Sequence, residues 1–305
     1  MQLGVTGCRI IDSPRERLIA ILTNVFVPCN GRFPFLITIA SIFIGGVGFA
    51  NYVGIDSTEV AVNAEAATST ISSGVSSSLI ATITVLFVVL LGIFMTLFVS
   101  KILSKTLLKG KSSSFILELP PYRKPQIGQV IVRSIFDRTL FVLGRAIAVA
   151  APAGLVIWLF ANINIGDLSI LTHVANFFDP FAKLMGLDGY ILTAFILGIP
   201  ANEIVLPIIL MCYMGSGTLV DLENTMTIGQ ILVNNGWTLV TAINVMIFTL
   251  LHFPCTTTLM TIKKETGSLK WTALAFALPT VCGIVICMAI NLLRYNGTEF
   301  EKKVG

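Results

Sequence analysis

Long runs without charge constrain this chain more than any other feature. No Asp, Glu, Lys or Arg occurs in 33–55, 66–100, 146–166, 204–220, 224–262 or 271–293. Most of these runs supply the roughly 20 apolar residues that a membrane-spanning helix needs. Charged residues make up 12% of the 305 positions, about half the share of a soluble domain. The pattern predicts an all-α, polytopic membrane bundle. Spans are expected at about 33–50, 77–100, 139–162, 190–215, 237–254 and 271–293.

The placement of charge sets an orientation and then breaks it. Arg9, Arg15, Arg17 and Arg32 precede the first span, and a second basic group runs from Lys101 to Arg138. By the positive-inside rule both are cytoplasmic, and 51–76, with Asp56, Glu59 and Glu65, is external. Cytoplasmic loops ordinarily carry such bases, so no nucleic-acid partner is implied. Continuing along the chain, 163–189 reads as an external loop and the Ser/Thr/Ala stretch 63–78 as another. If 190–215 crossed completely, Asp221 and Glu223 would be cytoplasmic and Lys263, Lys264 and Lys270 external. Both placements violate the rule. They are repaired if 190–215 is a broken or re-entrant element that returns to the side it came from; the alternative is that 255–270 re-enters.

The same segment holds the chain's oddest residues. In "GIPANEIVLPI" (198–208), Asn202 and Glu203 lie between Pro200 and Pro207. An acid at membrane depth is costly and by default functional. The prolines cannot donate to the carbonyls of Ile196 and Glu203, so those oxygens need side chains, water or an ion. Discontinuous transporter helices bind ions in this way. The structural alternative is a proline kink whose Glu203 is protonated or paired, for instance with Arg145.

Two further stretches share a design. "VPCNGRFPFL" (27–36) and "FPCTTTLMTI" (253–262) each place Pro-Cys at a span boundary, then small polar residues, then an apolar stretch. Pro28 and Pro254 free the carbonyls of Asn24 and Leu250. His252 stands three residues before Cys255, so a continuous helix would put both on one face. Thiol, imidazole and carboxylate together suit a transition metal better than Na⁺ or Mg²⁺. Glu203, Asn202, Cys29, Cys255 and His252 are therefore the candidate metal-binding residues. Cys8, Cys212, Cys282 and Cys287 read as small packing residues. The six cysteines show no C-x-x-C spacing, and "GKS" at 110–112 lacks the glycine and strand of a P-loop. No Ser/His/Asp or paired-carboxylate constellation is present, and no enzymatic site is expected. The stretch 14–29 has helical spacing at Leu18, Ile21, Leu22 and Val25, as an interfacial helix or part of a hairpin.

"RIIDSPRERLIAILTNVFVPCNGRFP" (9–34), "FILELPPYRKP" (115–125), "LGRAIAVAAPAG" (143–154), "GIPANEIVLPI" and "FPCTTTLMTIKKETGSLKWTALAF" (253–276) together resemble the membrane domain of the bacterial ferrous iron transporter family FeoB. The resemblance implies an Fe²⁺ permease of the bacterial cytoplasmic membrane, built from two gate-like halves, with Fe²⁺ as transported substrate. It marks Cys29 in the first gate, Glu203 and Asn202 in the second, and Cys255 in its partner motif, with His252 matching less closely. It implies three parts: 1–110 as the C-terminal part of the first gate, 111–138 as a cytoplasmic connector, and 139–305 as the second gate and C-terminal spans. Family members also carry an N-terminal GTP-binding domain, so this chain reads as a C-terminal portion that binds no GTP and depends on a separate or missing G domain. Self-association is left open. A nucleoside or polar-solute permease of the same architecture, or a membrane fragment without transport activity, are the competing functions.

Overall fold

The computed structural model describes residues 2–44, 67–108, 128, 140–166, 168–219 and 224–304. The expected turn at 117–125, most of the connector and residues 51–66 of the acidic segment lie outside them. The described chain is almost wholly helical, as the apolar runs require. In hydrocarbon only a helix or a closed barrel satisfies every backbone N–H and C=O within the protein.

The helices are α1 (Gln2–Gly7), α2 (Pro14–Thr23), α3 (Phe33–Phe43), α4 (Ala67–Lys105), α5 (Phe141–Asn162), α6 (Ile170–Leu184), α7 (Gly189–Leu197), α8 (Val205–Met214), α9 (Thr225–Asn234), α10 (Leu239–Leu251), α11 (Thr256–Thr266) and α12 (Leu269–Val304). Among the described residues strand is confined to one short antiparallel pair, Asn164–Ile165 with Leu168–Ser169.

Among the described residues three stretches are long and apolar enough to cross a membrane: Leu79–Lys105, Leu239–Thr266 and Leu269–Arg294. The chain is a multi-pass membrane protein. On α4 the buried residues Ala81, Val88, Met95, Val99 and Leu103 recur at sevens and fours, while Leu86, Phe87, Leu90, Phe94 and Leu97 are exposed. The outer row suits lipid and the inner row packs on protein. Lipid tails are as apolar as Leu, so close packing and hydrogen bonds hold such helices together. Gly92 shows the packing: a Cβ there would stand 2.9 Å from the Phe26 carbonyl oxygen and 3.1 Å from Leu250.

The N-terminal helices are woven into the C-terminal ones. α3 packs on α4, α9 and α10; α1 packs on α11; and α2 packs on α4 and α12. In α2, Ser13 caps the first turn by accepting from the Glu16 N–H, and Ile19, Ile21 and Leu22 are buried. It is therefore a bundle helix rather than one lying on the lipid surface.

Two loop expectations fail. The stretch 67–78 is already helical, the start of α4. The supposed external loop 163–189 contains α6, a 15-residue amphipathic helix that Ser169 caps, followed by a 110° bend into α7. Asp179 belongs to this architecture: it pairs with Lys183 at 2.5 Å, one helical turn away, and accepts from the Gly189 N–H at the bend. Periodicity in this polar-flanked stretch was masked by its charges and by Pro180.

The element 189–214 does not cross. Asp188, the cap of α7, accepts from the Tyr213 hydroxyl at the end of α8, and the Trp237 indole donates to that same hydroxyl at 2.8 Å. At the other end a Cβ on Gly198 would stand 2.5 Å from Val205. α7 and α8 are thus the two arms of a re-entrant hairpin, with its base at Asp188–Tyr213 and its tip at 198–204. This resolves the charge conflict. Arg9 pairs bidentately with Glu265 at 2.6 and 2.7 Å, and Arg15 donates to the Ser104 and Leu108 carbonyls at the end of α4. Glu265 and its neighbours Lys263 and Lys264 therefore lie at the same basic end as Lys101 and Lys105. The hairpin opens at the opposite end.

Candidate functional site

Three unwound segments meet inside the bundle. The first, 27–32, joins the turn after α2 to α3. The second, 198–204, is the hairpin tip. The third, 252–255, interrupts the Leu239–Thr266 span between α10 and α11. Each owes its break to proline: Pro28, Pro200 and Pro254 cannot continue the hydrogen-bond ladder of a preceding helix.

The segments touch through specific contacts. The Ile199 carbonyl accepts from the Thr256 N–H at 2.9 Å and from its hydroxyl at 3.2 Å, so the hairpin tip caps the start of α11. Gly31 lies against Glu203: a Cβ on Gly31 would stand 2.8 Å from Glu203 Cγ and 2.9 Å from Oε1. Arg32 ties the first segment to the third. Its side chain is fully buried, and its guanidinium donates to the carbonyls of Leu250 (2.9 Å), His252 (3.0 Å) and Phe253 (3.0 Å).

Arg32 corrects one expectation. It was grouped with the cytoplasmic bases, yet it is buried at the heart of the bundle. The sequence carried a signal for this, since Arg32 follows a Pro-Cys turn and opens an apolar run. The Leu250 carbonyl that Pro254 frees is served by a side chain, the Arg32 guanidinium. Likewise the Ile196 carbonyl accepts from the Ile199 N–H at 3.2 Å and the Asn24 carbonyl from the Val27 N–H at 3.3 Å.

The five proposed metal-binding residues all line or flank these breaks, in different states. Cys29 is half-buried in the first turn, where its carbonyl accepts from the Arg32 N–H. Cys255 is the half-buried N-cap of α11, with Sγ at 3.2 and 3.3 Å from the hydroxyls of Thr257 and Thr258. Both thiols lie within electrostatic reach of the Arg32 guanidinium. Asn202 is buried and its Oδ1 has no hydrogen-bond partner among the described residues. His252 is buried among Phe195, Phe248 and Phe253, with Nδ1 beside the Thr249 and Phe248 carbonyls and Nε2 without a partner among the described residues.

Two expectations about these residues are overturned. α10 ends at Leu251, and both His252 and Cys255 have extended backbone, so no shared helical face joins them. Proline at 254 is the cause. Glu203, expected as a buried acid, is exposed at the hairpin tip, because a short 3₁₀ turn swings it outward over Gly31. It forms no ion pair among the described residues, and the Arg145 side chain lies outside them. Among the described residues no three His, Cys, Asp or Glu side chains cluster tightly enough to hold one ion together. Among the described residues the candidate side chains are thus spread over the three breaks rather than gathered in a closed cage.

The family model described as "Ferrous iron transport protein B C terminus" matches residues 85–137, and the gate model described as "Nucleoside recognition" matches 143–269. The chain is 31% identical over 292 residues to a protein of Staphylococcus aureus strain COL named "Fe(2+) transporter FeoB". That alignment covers 93% of this chain and 37% of the relative. The chain belongs to the FeoB family. FeoB proteins of Methanocaldococcus jannaschii (23% over 305 residues) and Leptospira interrogans (25% over 304 residues) match 95% and 91% of the chain, and 39% of their own length each. The chain thus spans under two-fifths of the FeoB relatives it matches. No solved structure matches it. The gate match contains the hairpin and the 252–255 break, whereas the 27–32 turn lies before both matched regions.

Proposed function

We propose that this chain is the membrane part of a ferrous iron permease of the bacterial cytoplasmic membrane, and that Fe²⁺ passes along the junction of the three breaks. The observation that carries this reading is the meeting of 27–32, 198–204 and 252–255 inside an apolar bundle, with one carboxylate and two thiols at the breaks. Glu203, exposed at the tip, receives the ion. Cys29 and Cys255 are its soft ligands further in, and the unpartnered Asn202 Oδ1 and His252 Nε2 are neutral donors beside them. Borderline-soft Fe²⁺ accepts carboxylate, imidazole and thiolate, whereas Mg²⁺ keeps to oxygen. Passage by exchange between successive ligands fits a row better than a cage, since an ion held by every donor at once would not leave. A cytoplasmic GTP-binding domain would gate the pathway from the basic end.

Anaerobic titration of the purified protein in detergent with Fe²⁺ tests the reading. Saturable binding that excess Mg²⁺ does not displace, and that weakens in Glu203→Gln and in Cys29→Ser/Cys255→Ser, is the expected result. The gate match described as nucleoside recognition supports a second reading, a permease for a nucleoside. In that case solute binding would survive loss of both thiols and Fe²⁺ would not bind.

A further inference from the structure

The buried end of α10 presents three carbonyl oxygens, those of Leu250, His252 and Phe253, to one cation. Unwound carbonyls at the C-terminal end of a half-helix are the group that holds Na⁺ in discontinuous transporter helices. The partial negative charge of a helix C-terminus adds to their pull. Here the cation is the guanidinium of Arg32, with no solvent exposure and, among the described residues, no carboxylate within ion-pair distance. Arg32 reaches the site from the first break, and its neighbour Gly31 supports Glu203.

We propose that Arg32 is a tethered substitute for a coupling cation: it fills an alkali-cation site of backbone carbonyls and makes the junction independent of Na⁺ or K⁺. Its role is positioning. A permanent charge on a side chain locks the 252–255 break against the 27–32 turn, which in a Na⁺-dependent carrier would lock only when the ion binds. Neither the identity of the cargo nor the role of the thiols enters this inference.

The experiment is thermal unfolding of the full chain in detergent, in choline chloride, with NaCl, KCl or low-millimolar guanidinium chloride added at constant ionic strength. The wild type should melt at one temperature in all of them. Arg32→Ala should melt lower in choline and recover by about 5 °C, saturably, with guanidinium or Na⁺. Arg32→Lys, which keeps a charge, should stay indifferent to added cation. If Arg32→Ala does not accumulate, Arg32→Lys and the neutral, similarly sized Arg32→Met decide. Accumulation of the Lys variant alone supports the proposal, and equal accumulation and stability of the Met variant overturns it. An Arg32→Ala protein that responds to choline as it does to Na⁺ and guanidinium, or a wild type that gains as much as the variant, also overturns it.

Discussion

The two Pro-Cys breaks look alike in sequence and behave as opposites. In 27–32 the chain turns tightly and sends out a charged donor, Arg32. In 252–255 it opens its carbonyls and accepts that donor. Cys29 sits in the turn that gives, and Cys255 caps the helix that follows the break that receives. One motif repeated would leave unsatisfied carbonyls at each break. Two motifs of different polarity close each other, so the pairing of the breaks, rather than either break alone, holds the junction together.

The most severe way to break this complementarity is to remove the donor. Arg32→Met strips three charge-assisted hydrogen bonds and leaves buried carbonyls without partners. We expect a loss of about 3–5 kcal/mol, read as a large drop in melting temperature in detergent. A loss under about 1 kcal/mol would show that the carbonyls find other partners.

Losing the thiols sharpens the comparison by asking whether the two sides contribute equally. Cys29→Ser and Cys255→Ser should each weaken Fe²⁺ binding about tenfold, roughly 1.4 kcal/mol, with little change in stability. Equal losses from both would place the ion between the breaks. A loss confined to Cys255 would make the first turn purely a supplier of Arg32.

A smaller effect is expected away from the junction. Tyr213→Phe removes the hydroxyl that links Asp188 to Trp237 at the base of the hairpin. It should cost about 1–2 kcal/mol and lower the melting temperature without altering the Fe²⁺ affinity of the folded protein. A matching drop in affinity would mean that the base and the tip move together.

Gly31→Ala should act least on stability and selectively on Glu203. The added Cβ would stand 2.8 Å from Glu203 Cγ, so the acid must swing aside. We expect a few-fold weaker Fe²⁺ binding with a stability change below about 1 kcal/mol. Adding Glu203→Gln to Gly31→Ala should then change little more. Fully additive losses would separate the two residues.

Much of this architecture was legible in the residues. Charge-free runs gave the expected spans at 77–100, 237–254 and 271–293, whereas 33–50 holds a helix of only 11 described residues; the failed charge arithmetic around 190–215 pointed to the re-entrant hairpin, because a basic loop on the wrong side is a physical contradiction. Prolines located all three breaks. What they could not give was partnership. That the Leu250 carbonyl is served by Arg32, distant in sequence, depends on how α3 packs against α10. The exposure of Glu203 depends on how one 3₁₀ turn directs its middle residue, and α6 was hidden because Asp179, Pro180 and Lys183 interrupt its apolar pattern. His252 was placed on a helix face by spacing alone, while Pro254 two positions later had already ended that helix.

The central claim is that iron meets both breaks, and iron-edge X-ray absorption of the Fe²⁺-loaded, anaerobic protein tests it most directly. The account predicts sulfur scatterers at about 2.3 Å, the ordinary metal–thiolate distance, alongside nitrogen or oxygen, with the sulfur signal lost in Cys29→Ser/Cys255→Ser. A first shell of oxygen and nitrogen alone, unchanged in that variant, would contradict it.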